Sequence, residues 1–144
     1  MDYKVIIPAR LNSKRLPNKN VKLLIDKPLI QYTIEYALNN FQPNQIWINS
    51  DDHRILNLAK NLGVKSYNRP KELASDFTPT IEVLKDHLLF FINEGIKADA
   101  LVLLQPTSPF RSNDLIKKSI KIFENSKTQS LATFTFLKKK NWNN

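Results

Sequence analysis

The sequence predicts an α/β protein in which a mainly parallel sheet carries helices on both faces. Short apolar segments alternate along the chain with segments whose apolar residues recur every three or four positions, as strands and helices do. Strands that alternate with helices at this spacing require right-handed crossovers and therefore parallel neighbours. The chain has 144 residues, 42% of them hydrophobic, which is enough to bury one core.

The first half of the chain predicts two strand–helix pairs. Residues 5–8 are a β-branched apolar run, typical of a strand buried on both faces. From Leu29 the apolar positions follow the helical period for about three turns, and Pro43 lies just beyond that helix. Residues 45–49 predict the second strand, and the helix after it ends at Gly63, where a left-handed cap would fall.

The second half predicts two more pairs. Residues 64–67 form a weak strand, and Thr78 followed by Pro79 is a typical helix start. His87 lies beside the stripe of that helix and is interpreted as a packing or surface residue rather than a catalytic one. The stripe expected to face the core comprises Ile81, Leu84, Leu88 and Ile92.

The most apolar strand is predicted at residues 100–104, and Gln105 follows it directly. A further helix is capped by Ser112 or Asn113, and residues 131–136 are a last candidate strand. Ligands of parallel sheets bind beyond the carboxyl ends of the strands. Four polar segments should therefore gather at one edge of a Rossmann-like sheet: residues 9–20, 50–52, 69–80 and 105–111.

Scarce residue types exclude several kinds of chemistry. Cysteine is absent, so there is no disulfide, cysteine zinc site or cysteine nucleophile. Gly63 and Gly95 are the only glycines and lie far apart, which excludes Walker loops and the GxGxxG fingerprint. Any phosphate site must therefore use side chains and non-glycine amides.

The net charge of +9 is concentrated at the two ends of the chain. Residues 1–30 carry seven Lys or Arg against two Asp, and residues 117–144 carry seven against one Glu. A basic nucleic-acid-binding module is consequently an open alternative. No segment is long enough for a signal-peptide core or a membrane span, so we expect a cytoplasmic protein without a membrane partner.

The first polar segment suits a polyphosphate. Arg10, Lys14, Arg15 and Lys19 lie within a stretch of ten residues shortly after the end of the first strand, with Ser13 and Asn20 as neutral hydrogen-bonding groups. Composition alone does not separate a nucleotide from a nucleic acid here, and a solvated loop is the competing interpretation.

Several ordered motifs resemble the N-terminal part of the acylneuraminate cytidylyltransferases, the CMP-sialic acid synthetases. The motifs are IIPARLNSKRLPNKN, KPLIQYTIEYA, NSDD, RPKELASD and LQPTSPFR, spanning about residues 5–111. The resemblance extends to enzymes for the related pseudaminic and legionaminic acids, and it implies a nucleotide-diphospho-sugar transferase-like fold. One departure is Asp26, because relatives commonly have Gly before Lys27 and Pro28.

The resemblance implies a reaction in which the anomeric hydroxyl of a nonulosonic acid attacks the α-phosphorus of CTP and releases pyrophosphate. The candidate catalytic residues are Arg10 and Lys19, which would neutralise charge developing on the phosphates. The triphosphate would be held by residues of the first polar segment, namely Ala9, Arg10, Ser13, Arg15, Lys19 and Asn20.

The resemblance also implies which residues contact the cytosine base, the ribose and the acceptor sugar. Arg69 would reach the cytosine edge and Thr80 the base or ribose, whereas Gln105 would contact the sugar. The competing interpretation of Arg69 is a salt bridge to Glu72 or Asp76.

Mg2+ is expected as cofactor, with its main ligands outside this chain. Asp51 is a weak candidate ligand, while the neighbouring Asp52 is better interpreted as a helix N-cap.

The resemblance further implies that residues 1–137 are an incomplete nucleotide-binding domain and that residues 138–144 begin a metal-binding and dimerisation portion. The full-length protein is expected to be a homodimer, and nucleic acid is not an expected partner. We expect residues 1–144 alone to bind CTP weakly and to turn over poorly. An inactive cytidylyltransferase-like binding protein is a further open alternative.

Overall fold

The computed structural model describes residues 1–134. Its strands, in chain order, are β1 (Tyr3–Pro8), β2 (Leu23–Leu24), β3 (Lys27–Pro28), β4 (Ile46–Ser50), β5 (Lys65–Asn68) and β6 (Ala100–Leu103). Four of them form one parallel sheet in the order β5-β4-β1-β6, which confirms the predicted α/β class. The strands β2 and β3 form a separate antiparallel hairpin that the sequence did not predict.

Four α-helices connect or follow these strands: α1 (Leu29–Leu38), α2 (His53–Asn61), α3 (Thr80–Asn93) and α4 (Leu115–Asn125). Single 3-10 turns occur at Lys19–Val21, Pro43–Gln45 and Lys71–Leu73. Asp52 is the N-cap of α2, as predicted, and its side chain accepts a hydrogen bond from the backbone N–H of Arg54. The cap of α4 is Asp114 rather than Ser112 or Asn113.

The chain divides into two compact units, Met1–Arg111 and Ser112–Asn144. The first contains every described strand and α1 to α3, whereas the second contains α4. Residues 131–134 have irregular backbone, and the rest of the predicted strand at 131–136 lies outside the described residues, as does the segment 138–144. Within residues 1–134 no helix is both long and apolar enough to cross a membrane.

The strand order dictates which face each helix covers. The chain moves from β1 through α1 to β4 and through α2 to β5, so right-handed crossovers place both helices on one face. From β5 it returns through α3 to β6 on the other side of β1, which places α3 on the opposite face. Consistent with this, Ile6 and Trp47 point to the same face and pack with Phe91 of α3.

The buried face of α3 differs from the predicted stripe. Val83, His87 and Phe91 are buried, whereas Leu88 and Ile92 are exposed. The helix is apolar on more than one face, so two stripes one residue apart both fit the helical period. The polar character of His87 favoured the wrong stripe.

The strand predicted at 100–104 is the most apolar in sequence but is not the most deeply buried. In the described sheet β6 is an edge strand, and Leu103 is exposed. The most deeply buried strands are instead the two central ones, β1 and β4.

Candidate functional site

A cleft lies beyond the carboxyl ends of the strands, at the side of β1 where the order of connections reverses. Ligands of parallel sheets bind at such switch points. The cleft is lined by residues from three of the four predicted polar segments together with the strand end and α3: Pro8, Arg10, Ser13, Lys19, Asn20, Arg69, Leu73, Ser75, Thr78, Thr80, Val83, Gln105, Pro106 and Thr107. Seven of the nine residues predicted to contact substrates are therefore brought together.

The loop after β1 is shaped without glycine. Asn18 adopts a left-handed conformation with φ of 56°, which asparagine tolerates better than most residues, and the turn Lys19–Val21 follows it. The Arg54 guanidinium donates to Asn18 Oδ1 at 2.8 Å. The buried Asn20 donates from Nδ2 to the carbonyl oxygen of Arg10 at 3.2 Å, which ties the two ends of the loop together.

Asp52, which follows β4, stabilises the loop after β1. Its carboxylate accepts from Nε and Nη2 of Arg54 at 3.0 and 2.7 Å, and it is 3% exposed. Hydrogen bonding to Arg54 lowers the pKa of Asp52. The N-cap of α2 thus also orients the guanidinium that holds Asn18.

The Arg10 guanidinium is already paired with a carboxylate. Its Nη1 donates to Oδ1 of Asp76, and Nζ of Lys14 lies 3.8 Å from Oδ2 of the same carboxylate. Lys14 also lies over the ring of Phe77, 4.4 Å from its centroid. These contacts join the loop after β1 to the loop before α3 at the mouth of the cleft.

Arg69 follows β5 and is 5% exposed, so it is the most buried cation of the cleft. The predicted alternative of a salt bridge to Glu72 or Asp76 is not formed. Instead Nε donates to Oδ1 of Asn49 at 2.6 Å, and Nη2 donates to the carbonyl oxygen of Asn49 at 3.0 Å. Burial without a bonded carboxylate lowers the pKa of Arg69.

The remaining sides of the cleft carry neutral hydrogen-bonding groups. Thr80 is the first residue of α3, and Ser75 Oγ lies 2.8 Å from Thr78 Oγ1 in the preceding loop. Gln105 follows β6 directly, and its carbonyl oxygen accepts from Nη2 of Arg111 at 2.6 Å. This bond closes the turn after β6 and leaves the Gln105 side chain exposed at the cleft.

Three predicted residues do not line the cleft. Ala9 is buried, and its backbone N–H donates to the carbonyl oxygen of Asn49 at 2.9 Å. Arg15 is exposed to solvent. Asp51 accepts the backbone N–H of Leu11 at its Oδ1 at 2.8 Å, so its carboxylate shapes the loop.

Among residues 1–134, no three His, Asp or Glu side chains lie close enough together to hold a metal ion. The carboxylate of Asp51 accepts a hydrogen bond from the backbone N–H of Leu11, and that of Asp76 accepts one from Arg10.

Two polar residues of this region, Asp76 and Asn49, were not predicted from the sequence to belong to the site. Asp76 was considered as a partner of Arg69, and its pairing with Arg10 depends on how two loops meet. Asn49 is fully buried at the end of β4. A polar side chain inside the apolar run 45–49 was the available signal for Asn49, since such a group must find a buried partner.

A family model described as cytidylyltransferase matches residues 4–143. The N-acylneuraminate cytidylyltransferase of Escherichia coli O18:K1:H7 is 39% identical over 119 residues, which are 83% of this chain and 27% of that protein. The CMP-N,N'-diacetyllegionaminic acid synthase of Legionella pneumophila is 39% identical over 81% of this chain and 51% of that protein. The pseudaminic acid cytidylyltransferase of Campylobacter jejuni is 32% identical over 90% of this chain and 56% of that protein.

Among solved structures, CMP:2-keto-3-deoxy-manno-octonic acid synthetase complexed with CTP is similar at a TM-score of 0.67 with 23% identity. The match covers 87% of this chain and 48% of that one, and it supports the fold alone. The chain thus spans about half, or less, of the length of the proteins it matches.

Proposed function

The chain belongs to the cytidylyltransferase family, and from this premise we propose that the cleft binds CTP. We further propose that the whole protein joins CMP to a nonulosonic acid. The observation that carries the proposal is the convergence of seven predicted substrate residues, from segments up to 95 positions apart in sequence (Arg10 to Gln105), on one cleft at the switch point of the sheet.

In the proposed reaction the anomeric hydroxyl oxygen of the sugar attacks the α-phosphorus of CTP in line. The bond from that phosphorus to the bridging oxygen of the leaving pyrophosphate breaks, and the hydroxyl proton is lost to a base. Arg10 and Lys19 stabilise the negative charge that passes to the pyrophosphate. Ser13 and Asn20 contribute neutral hydrogen bonds that fix the phosphates in place.

The base end of CTP lies towards Arg69 and Thr80 in this proposal. A guanidinium only donates hydrogen bonds, and the Watson–Crick edge of cytosine presents a carbonyl oxygen and a ring nitrogen that accept them. Burial strengthens such a bond and makes a mismatched base costly. Arg69 therefore contributes to selection of the base as well as to affinity.

The acceptor sugar is placed at Gln105, on the far side of the phosphate residues. Its side-chain amide both donates and accepts, which suits hydroxyl and acylamino groups. Sialic, legionaminic and pseudaminic acids all carry such groups, and relatives named for each of them are 32% to 39% identical to this chain. The proposed substrate class is accordingly a nonulosonic acid.

Further properties follow from the family and stay predictions. We expect Mg2+ to act with ligands outside the described residues, and no step above is routed through it. We also expect a homodimer of the full-length protein, a cytoplasmic location and a role in capsule or lipopolysaccharide biosynthesis.

Nucleic-acid binding is the less favoured function. Binding of single strands uses aromatic rings on an exposed basic surface as stacking platforms. Among residues 1–134 the largest aromatic cluster comprises Trp47, Tyr67, Phe90 and Phe91, which pack against each other where α3 meets the sheet.

The proposal is tested by calorimetric titration of the chain with CTP. Arg10→Ala and Lys19→Ala should each weaken binding about tenfold or more, because each removes a charge-assisted bond to phosphate. Lys60→Ala is the matched control, since Lys60 is exposed in the last turn of α2, at the opposite edge of the sheet. Equal affinity for CTP in all four proteins would contradict the proposal.

A further inference from the structure

A buried chain of hydrogen bonds runs from the cleft into the core behind it. Arg69 donates from Nε to Oδ1 of Asn49 at 2.6 Å, and Nδ2 of Asn49 lies 3.1 Å from Nδ1 of His87. Asn49 and His87 are both fully buried, and they come from β4 and α3 on facing layers. His87 does not line the cleft itself, but two hydrogen bonds connect it to Arg69, which does.

Only one assignment of donors and acceptors is consistent with the hydrogen bonds from Arg69 through Asn49 to His87. A guanidinium can only donate, so the oxygen of the Asn49 amide must face Arg69 and its nitrogen must face His87. Nδ1 of His87 must then accept, which puts the ring hydrogen on Nε2 and leaves the imidazole neutral. Burial and the positive charge of Arg69 favour this state, since they lower the pKa of His87 to about 4.

Packing alone does not account for a histidine at this position. Nε2 of His87 is buried without a hydrogen-bond partner among the described residues. The ring is surrounded by Tyr67, Phe91 and Trp47, with centroids 4.6, 4.7 and 5.6 Å away. A leucine or phenylalanine would fill the same space without leaving a buried donor unpaired, which is a cost that normally needs an explanation.

The acceptor at Nδ1 supplies that explanation. Without an acceptor at His87, nothing on that side would fix the orientation of the Asn49 amide. The amide could then turn its Nδ2–H group towards Arg69, so that two hydrogen-bond donors would face each other. With the acceptor, Asn49 holds one edge of the guanidinium through two bonds, at Oδ1 and at the backbone carbonyl oxygen. The N–H groups on Nη1 make no hydrogen bond within the described residues and stay available to a ligand.

We propose that His87 is a positioning residue for nucleotide recognition, which orients the Arg69 guanidinium towards the base through the amide of Asn49. The inference rests on the proposed function in one respect, the assignment of Arg69 to the base end of CTP. It adds a buried residue of α3, outside the cleft, to the groups that determine which base is accepted.

The test compares His87→Leu, which removes the acceptor, with His87→Asn, whose Oδ1 can take the place of Nδ1. Each variant is titrated with CTP and with inorganic tripolyphosphate, which engages the phosphate residues but has no base. His87→Leu should bind CTP about tenfold more weakly than the wild type and tripolyphosphate equally well. His87→Asn should restore CTP binding to within about threefold.

A second readout needs no ligand. The Arg69 Nε–H signal in 1H–15N spectra should shift in His87→Leu and return close to its wild-type position in His87→Asn. If His87→Leu does not fold, His87→Gln replaces it, because the longer side chain carries its amide past the position of Nδ1. An unchanged Arg69 signal and unchanged CTP affinity in the variant without the acceptor would overturn the inference.

The two proposals fail in distinguishable ways. If no protein binds CTP while the Arg69 signal responds as described, the proposed function is wrong and the positioning of Arg69 by His87 holds. If CTP and tripolyphosphate weaken by the same factor in His87→Leu, the residue has a general structural role and the inference is wrong.

Discussion

Removing the carboxylate of Asp76 should tighten nucleotide binding. This carboxylate pairs with Arg10 and lies 3.8 Å from Nζ of Lys14. A triphosphate in the cleft must therefore compete for cations that Asp76 already engages, and it must tolerate a negative charge beside it. Asp76→Asn keeps the shape of the side chain and removes the charge.

The magnitude follows from the exposure of the pair. The side chains of Arg10 and Asp76 are 30% and 21% exposed, and a pair so open to solvent contributes up to about 1 kcal/mol. Relief of the repulsion between carboxylate and phosphate adds a contribution of about the same size. Together they amount to up to about 2 kcal/mol and so predict up to about thirtyfold tighter binding of CTP, at a loss of less than about 1 kcal/mol in the free energy of unfolding.

The assay is calorimetric titration with CTP at low salt and again at about 0.5 M NaCl, where screening should reduce the gain. Asp2→Asn is the matched control, because it breaks an Asp–Lys pair with Lys4 at the opposite edge of the sheet. In an Arg10→Ala background the gain from Asp76→Asn should shrink, since the two residues are coupled. Weaker binding by Asp76→Asn would show that Asp76 does not compete with phosphate and instead orients Arg10 for it.

Three further predictions concern stability, each measured by urea unfolding. Ile25→Gly should raise the free energy of unfolding by about 1 kcal/mol, because Ile25 is a β-branched residue held at φ of 65° and its side chain is 82% exposed. A lower free energy of unfolding in this variant would show that the backbone at Ile25 is not strained. Asp52→Ala should lower it by about 1 to 2 kcal/mol through loss of the α2 cap, and an unchanged value would show that Arg54 finds another partner. Stability should fall by about 2 kcal/mol between pH 7 and 5, because the pKa of His87 is lowered to about 4 by burial and by Arg69, so the unfolded chain takes up the proton first. His87→Asn should lose that much less over the same range, and equal pH dependence in the two proteins would contradict the lowered pKa.

Much of the site could be predicted from the sequence because it follows from topology. Parallel strands end at one edge, so polar segments that follow separate strands must meet there, whatever their separation in the chain. Arg10, Lys19, Arg69 and Gln105 converge for this reason. The α/β class follows from the same alternation of strands and helices.

What the sequence did not predict depends on contacts between side chains that no periodicity describes. Asp76 could pair with either Arg69 or Arg10, and only the packing of two loops decides for Arg10. The partner of Arg69 is the amide of Asn49, a residue inside an apolar run. The stripe of α3 was displaced by one residue because the buried polar group, His87, was counted as less hydrophobic than its neighbours.

The hairpin between β2 and β3 illustrates a further limit. The departure from the family pattern falls at Asp26, whereas the residue with left-handed backbone is Ile25, one position earlier. The missing glycine indicates which turn is strained, but only the backbone angles show which residue of that turn has the left-handed conformation.

Chemical-shift mapping with CTP is the most direct test of nucleotide binding at the cleft, since it locates a ligand even when binding is weak. We predict that added CTP shifts the backbone amide signals of cleft residues, among them Ser13, Asn20, Arg69 and Thr107, and leaves those at the amino ends of the strands, such as Lys60, unchanged. No shifts at millimolar CTP, or shifts at the amino ends of the strands instead, would contradict this prediction.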